Sequence, residues 1–267
     1  MTGPHAVPDG AHHSLTRGDA TIAYRHTPAR KAGQGPGLMF LGGFMSDMTG
    51  TKAVALEAWA CRQGLAFTRF DYQGHGASSG RFEDGTIGAW TADALAVLDD
   101  VTQGPQVLIG SSMGGWIMTL AALRRPERVA GLVGIASAPD FTEDLIWDAL
   151  DPATRALMER EGEWRRPSAY FPEPKPVTMT LVEEARAHLL LRGDPVRDPV
   201  RFGGPVRLLH GMADPDVPWQ TSLRLAEALA SHDVRVTLVK DGDHRLSRDQ
   251  DIDLLCRTVS DLVRMVG

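Results

Sequence analysis

The segment Val107-Leu108-Ile109-Gly110-Ser111-Ser112-Met113-Gly114-Gly115-Trp116 joins a short apolar run to a small-residue turn and then to helical spacing. Within it Gly110, Ser112 and Gly114 form a G-x-S-x-G frame. A serine held in a sharp strand-to-helix turn needs small residues two positions to either side, because the chain doubles back there. Ser111 fails that test, since Ile109 stands two before it, and Ser112 passes. Such a serine attacks carbonyl carbon, with Oγ raised above the C-terminal edge of a sheet. The helix that follows points its N-terminus, and the Met113 N–H, at the developing oxyanion. The competing reading is a Gly/Ser-rich turn without chemistry, and the flanking strand and helix weigh against it.

A second backbone donor is expected from the loop after an earlier strand. Leu38 to Leu41 reads as that strand and runs into Gly42-Gly43-Phe44-Met45. Phe44 N–H is the candidate, the two glycines allowing close approach, with Met45 N–H as the alternative. On a nucleophile elbow the partners follow in the order serine, acid, histidine. The run Pro205 to Leu209 leads into His210-Gly211-Met212-Ala213-Asp214-Pro215-Asp216. Asp214 is the candidate acid, Asp216 its competitor, and a carboxylate that merely starts a helix is the alternative for either. His210 precedes the acid, breaks the order, and is expected to hydrogen-bond to this loop. His244 follows the last strand in Asp241-Gly242-Asp243-His244 and is the candidate base; His232 precedes that strand and His188 lies in another segment.

Apolar residues that could line an acyl pocket are Phe44, Met45, Met48, Trp116, Trp147 and Trp164, though core packing competes for most of them. Arg165 and Arg166 could meet an acidic sugar carboxylate, against the alternative of a solvated turn.

The elements that must position these residues follow from periodicity. Strands are predicted over Ala20–Arg25, Leu38–Leu41, Leu65–Phe70, Gln106–Ile109, Val129–Ala136, Pro205–Leu209 and Val234–Lys240. Helices are predicted over Thr51–Gln63, Trp90–Val101, Gly114–Leu123, Gln220–Ser231 and Asp249–Met265. The alternation implies an α/β fold with a mostly parallel sheet covered on both faces. Between Pro139 and Gly203 the alternation stops. Helical pieces (Thr142–Ala149, Thr154–Arg160, Thr180–Leu191) but no strand signal point to a helical cap over 139–203, inserted between core parts 1–138 and 204–267.

With 267 residues, 43% of them hydrophobic, the chain can bury a large core. Its net charge of −6 gives no electrostatic reason to bind nucleic acid. No apolar run is long enough for membrane insertion. Cys61 and Cys256 make no metal-type spacing and read as buried small hydrophobes in a reducing compartment. His12 and His13 read as an exposed, mobile terminal pair. No cofactor and no metal are implied. Met1 to Ser14 has no h-region, arginine or amphipathic run, so the expected location is cytoplasmic.

With these residues in place the chain resembles the α/β-hydrolase superfamily, which the D-x-x-G-x-G-x-S pattern over Asp71 to Ser78 also suggests. Within it, Gly50-Thr51-Lys52-Ala53, Arg69-Phe70-Asp71-Tyr72, Arg207 to Met212, Val217-Pro218-Trp219 and Asp243-His244-Arg245 resemble the α/β-hydrolase-domain-containing protein ten group. That resemblance implies a mostly parallel sheet, a triad carried by Ser112, Asp214 and His244, and hydrolysis of palmitoyl thioesters or acyl-glucuronide esters. The implied partner is a small-molecule ester or an acyl thioester, including an acylated protein. The alternatives are cleavage of a C–C or peptide bond by the same triad, or a non-catalytic binding protein on the same scaffold.

Overall fold

Leu38, Met39, Phe40 and Leu41 are all buried, yet they serve two different cores. Successive strand residues face opposite ways, so Met39 and Leu41 join one apolar cluster and Leu38 and Phe40 another. That double burial requires helices on both faces of the sheet. The computed structural model describes residues 12–31, 35–167, 174–194 and 198–267. Tyr170, Phe171 and most of the Met1 to Ser14 segment lie outside them.

Among the described residues the strands are β1 (His13–Arg17), β2 (Ala20–Thr27), β3 (Gly37–Leu41), β4 (Phe67–Phe70), β5 (Gln106–Ser111), β6 (Val129–Ile135), the pair β7 (Glu163–Arg166) and β8 (Lys175–Thr178), then β9 (Val206–Gly211) and β10 (Val234–Val239). The main sheet has the order β1-β2-β4-β3-β5-β6-β9-β10. Pairing from β4 through to β10 is parallel, and β2 is antiparallel to both its neighbours. The helices are α1 (Thr51–Gln63), α2 (Ile87–Asp100), α3 (Met113–Arg124), α4 (Pro152–Glu161), α5 (Met179–Ala185), α6 (Gln220–Ala228) and α7 (Asp249–Val266).

Helices α1 and α7 cover one face, through Ala53, Leu56 and Ala60 and through Leu255, Val259 and Leu262. Helices α2 and α3 cover the other, with Trp90 and Trp116 among the largest buried side chains. Helix α3 is buried from Met113 through Ala122, which explains why its sequence is apolar all round rather than amphipathic. Gly64 ends α1 at φ 77°, a left-handed turn that glycine takes without side-chain strain. Parallel pairing brings the C-terminal ends of β3, β4, β5, β9 and β10 to one edge. The loops carrying Phe44, Asp71, Ser112, Asp214 and His244 therefore meet there.

Four expectations are corrected. His13 does not belong to a loose terminus: it opens β1, with its ring 5.5 Å from Tyr24. The stretch between β6 and β9 is not wholly helical, because β7 and β8 form an antiparallel ribbon. Its strands are four residues long and β8 includes Pro176, so neither gives a period strong enough to read. Within the same stretch Thr142–Trp147 winds as a π-helix, with Asp148 N–H donating to the Glu143 carbonyl at 2.9 Å. Helix α5 stops at Ala185 rather than Leu191, and the Asp140 carboxylate takes the N–H groups of Leu190 and Leu191. Both cysteines are free thiols and half-buried rather than buried.

Candidate active site

Ser112 sits between β5 and α3 at φ 55° and ψ −119°, a conformation that costs a non-glycine residue roughly 1–3 kcal/mol. Its neighbours must be glycine for a steric reason. A Cβ on Gly110 would run into the Gly114 carbonyl, and one on Gly114 would run into the carbonyl oxygens of Leu41 and Gly42. Ser112 N–H donates to the Ile135 carbonyl of β6 at 2.9 Å, and the Ser112 carbonyl accepts from Gly115 and Ala138. The turn is thus fixed by β6, by the residues just after it and by the first turn of α3.

His244 Nε2 lies 3.2 Å from Ser112 Oγ, and His244 Nδ1 lies 2.7 Å from Asp214 Oδ2. An ionised carboxylate only accepts, so Nδ1 carries the ring proton and Nε2 faces the serine as an acceptor. The Asp214 side chain is fully buried. Its Oδ1 accepts the N–H groups of Asp216 and Val217 at 2.8 and 2.9 Å. Its Oδ2 also accepts from His210 Nε2 at 3.2 Å. Burial works to raise the Asp214 carboxyl, but hydrogen bonds from His210, His244 and Val217 outweigh it and hold the group well below the usual carboxylate range.

Of the two acids weighed, Asp214 is therefore the one on His244, while Asp216 lines the cavity nearby. Asp214, Asp216 and His244 bring three ligand-type atoms within 4.8 Å of one another. Asp214 already accepts four hydrogen bonds, so it is built as a partner for imidazole rather than as a chelator.

The loop after β3 runs against the elbow: a Cβ on Gly43 would lie 3.4 Å from Ser112 Cβ. Met45 N–H is taken by His75 Nε2 at 3.2 Å, which removes the alternative donor. Phe44 N–H and Met113 N–H have no hydrogen-bond partner among the described residues. Asp71 ties the neighbouring loop down, accepting Met48 N–H and Ala77 N–H, while burial raises its carboxyl.

A cavity of about 380 Å³ opens beside Ser112, within the range of small-molecule sites. Phe44, Met45, Met113, Phe141, Leu145 and Val177 supply apolar wall, and Lys52, Arg166, Lys175 and Arg245 bring positive charge. Lys52 Nζ donates to the Arg245 carbonyl, and burial lowers its ammonium to about 8.

Met45 lines this cavity as expected; the three tryptophans do not. Trp116 is fully buried against Phe141 and donates its indole N–H to the His188 carbonyl at 2.9 Å. Trp147 has the guanidinium groups of Arg155 and Arg186 over its ring, at 4.9 and 5.4 Å from the centroid. Trp164 packs from β7 onto the core cluster. Met48 is buried in the core as well. Arg165 is exposed and paired with Glu163, whereas Arg166 reaches the cavity. The sequence reading missed His75 and Lys52, both of which meet the site through contacts distant in the chain.

Comparison with known proteins agrees with this fold. The family described as "Alpha/beta hydrolase family" matches residues 36–257. A Mus musculus protein named "Palmitoyl-protein thioesterase ABHD10, mitochondrial" is 46% identical over 243 residues, covering 91% of this chain and 78% of that protein. The structure of alpha/beta hydrolase domain-containing protein 10 from mouse superposes with a TM-score of 0.86 at 41% identity, covering 97% of this chain and all of that one. A putative hydrolase from Agrobacterium vitis S4 superposes with a TM-score of 0.88 at 43% identity, covering 94% of this chain and 98% of the other.

Proposed function

The chain belongs to the alpha/beta hydrolase family, and from that membership we propose a serine hydrolase that cleaves a carboxylic ester or an acyl thioester through an acyl-enzyme. The observation that carries the proposal is the relay from Ser112 Oγ through His244 to Asp214, at 3.2 and 2.7 Å, beside two unoccupied backbone N–H groups.

In this mechanism His244 takes the Ser112 proton as Oγ attacks the substrate carbonyl carbon. The N–H groups of Phe44 and Met113 receive the oxyanion, and Asp214 stabilises the imidazolium. His244 then returns the proton to the departing alcohol or thiol, and water releases the acyl group by the same route. Phe44, Met45, Phe141 and Val177 form the acyl-binding wall. Cleavage of C–C or peptide bonds is not favoured, since the relatives above are named for a thioesterase activity. A purely binding role would not require a complete relay.

The segment 139–203 acts as a cap in this proposal, and Arg166 selects the substrate from it. Arg166, paired through its backbone with Lys175, lines the cavity, and a guanidinium there suits a leaving group bearing a carboxylate, as in an acyl glucuronide. No helix among the described residues is long and apolar enough to cross a membrane. Two free thiols suit a reducing compartment, and we place the activity in the cytoplasm; cell fractionation tests this against the mitochondrial location in the relatives' names.

The test is a hydrolysis panel of short and long p-nitrophenyl esters, a palmitoyl thioester and an acyl glucuronide. Turnover is expected with at least one acyl class and is expected to disappear in Ser112→Ala. Retained turnover in that variant would sink the assignment.

A further inference from the structure

Met45 stands at φ 63°, in the left-handed region that a residue with a side chain avoids. Some contact must hold it there, and that contact is His75. The Met45 N–H donates to His75 Nε2 at 3.2 Å across a gap of 30 residues. The other ring nitrogen, Nδ1, lies 3.2 Å from the Gln73 carbonyl. A carbonyl can only accept, so Nδ1 carries the proton and Nε2 is left bare for Met45.

The tautomer is anchored further out. The Gln73 carbonyl also accepts Trp90 Nε1 at 3.0 Å, and the Gln73 N–H donates to Asp93 Oδ2 at 2.9 Å. Edge-on contacts to Tyr72, Phe82 and Trp90, with centroids 5.1 to 5.6 Å away, fix the ring plane. The ring is 4% exposed, and burial lowers the imidazole to about 4, so it keeps this tautomer at neutral pH. The Phe44 ring enters the same aromatic box, 4.9 Å from Phe82 and 6.0 Å from Trp90.

Two consecutive residues of the loop after β3 are therefore clamped, Phe44 by its ring and Met45 by its backbone. Between the clamp and the elbow, Phe44 N–H is left without a partner. We propose that His75 is a positioning residue of the oxyanion hole: by holding Met45 N–H on Nε2 it aims Phe44 N–H at the carbonyl oxygen of a substrate bound at Ser112. The proposal rests on Ser112 being the nucleophile. His75 touches neither substrate nor serine and acts only through the loop.

The experiment compares the full chain with His75→Phe and His75→Gln on a p-nitrophenyl ester and on the matching thiono ester. A thiocarbonyl sulfur is a poor acceptor and gains little from an oxyanion hole. Removing a hole donor costs about 10²–10³ in kcat, and a mis-aimed one is expected to cost roughly 10–100-fold. His75→Phe should show that loss in kcat on the oxo ester, with KM within about twofold and the thiono ester nearly unaffected. Affinity for an alkyl boronic acid, which mimics the tetrahedral state, should fall by the same factor as kcat. His75→Gln can still accept the Met45 N–H through its amide oxygen and should recover part of the loss. Unchanged kcat in His75→Phe, or equal losses on oxo and thiono esters in both variants, would overturn the proposal. Neither result would touch the Ser112 assignment, which fails only if Ser112→Ala retains turnover.

Discussion

His210 donates through Nε2 to Asp214 Oδ2, the same oxygen that receives His244 Nδ1, at 3.2 and 2.7 Å respectively. The carboxylate of the relay is thus held between two imidazoles. His210 is itself fixed: Ser222 Oγ donates to its Nδ1 at 2.7 Å, and its Nε2 also lies 3.0 Å from the Val217 carbonyl. The ring is fully buried, so it orients Asp214 from behind while His244 faces the cavity.

Replacing His210 by Leu is therefore expected to affect both stability and catalysis. Each buried polar group left unpaired, Ser222 Oγ foremost, costs about 1–3 kcal/mol. Asp214 keeps its two backbone donors and His244, so kcat should fall about tenfold, far less than on losing the acid altogether. The carboxyl is depressed in the folded protein, so its contribution is present above the unfolded value and is lost as pH falls toward the folded value. Without His210 the folded value rises, and the acid unfolding midpoint should move to higher pH. Urea unfolding across acid pH checks the shift; an unmoved midpoint would count against the shared carboxylate.

The reach of the sequence is clear from these two histidines. The convergence of Ser112, Asp214 and His244 was legible because each stands at a strand end, where spacing and chain order fix its place. His210 was legible as a loop ligand for the same reason. His75 was not, because its partner Met45 lies on a different strand end and no local pattern marks the contact. The tryptophans failed differently: a large aromatic announces burial but not which side it faces, and Trp116 turns from the cavity to donate to His188. The β7–β8 ribbon carries mixed charge and a proline on strands of four residues, too little period to register.

His75 also makes acid sensitivity measurable. Its folded value is about 4 against an ordinary value of 6.5, so between these the unfolded chain binds a proton that the folded chain refuses. Stability attributable to this group is full above 6.5 and falls as pH drops through the window, by about 3 kcal/mol at 1.36 kcal/mol per pH unit. Burial raises the carboxyls of Asp71, Asp93 and Asp140, whose contributions run the opposite way. The difference between wild type and His75→Phe isolates the imidazole. Urea unfolding at pH 7 and pH 4.5 should show a shallower pH dependence in the variant, and equal slopes would refute the buried neutral ring.

Gly114 tests the fit between elbow and donor loop. An alanine there drives its Cβ into the backbone carbonyls of Leu41 and Gly42, which no side-chain rotation relieves. Overpacking of this kind costs about 1–3 kcal/mol, and the displaced loop carries Phe44. Gly114→Ala should therefore lose both thermal stability and most of its kcat. Gly203→Ala, where an added Cβ meets nothing within 4 Å, is the control and should change neither.

The charge on the cavity wall is expected to separate anionic from neutral substrates. Arg166 faces the cavity from β7 and Lys52 from α1, with Lys52 lowered by burial to about 8. Lys52 is thus cationic at neutral pH and loses its charge as pH rises through 8, while Arg166 keeps its own. For an acyl glucuronide KM should rise above pH 8, and for the methyl ester of the same glucuronide it should not. Arg166→Gln should raise KM for the anionic substrate about tenfold, equivalent to roughly 1.4 kcal/mol, with the neutral ester within twofold. Lys52→Met should abolish the pH dependence of KM without abolishing turnover. Parallel KM values for the two esters across pH 6 to 9 would show that the cations stabilise the protein and do not read the leaving group.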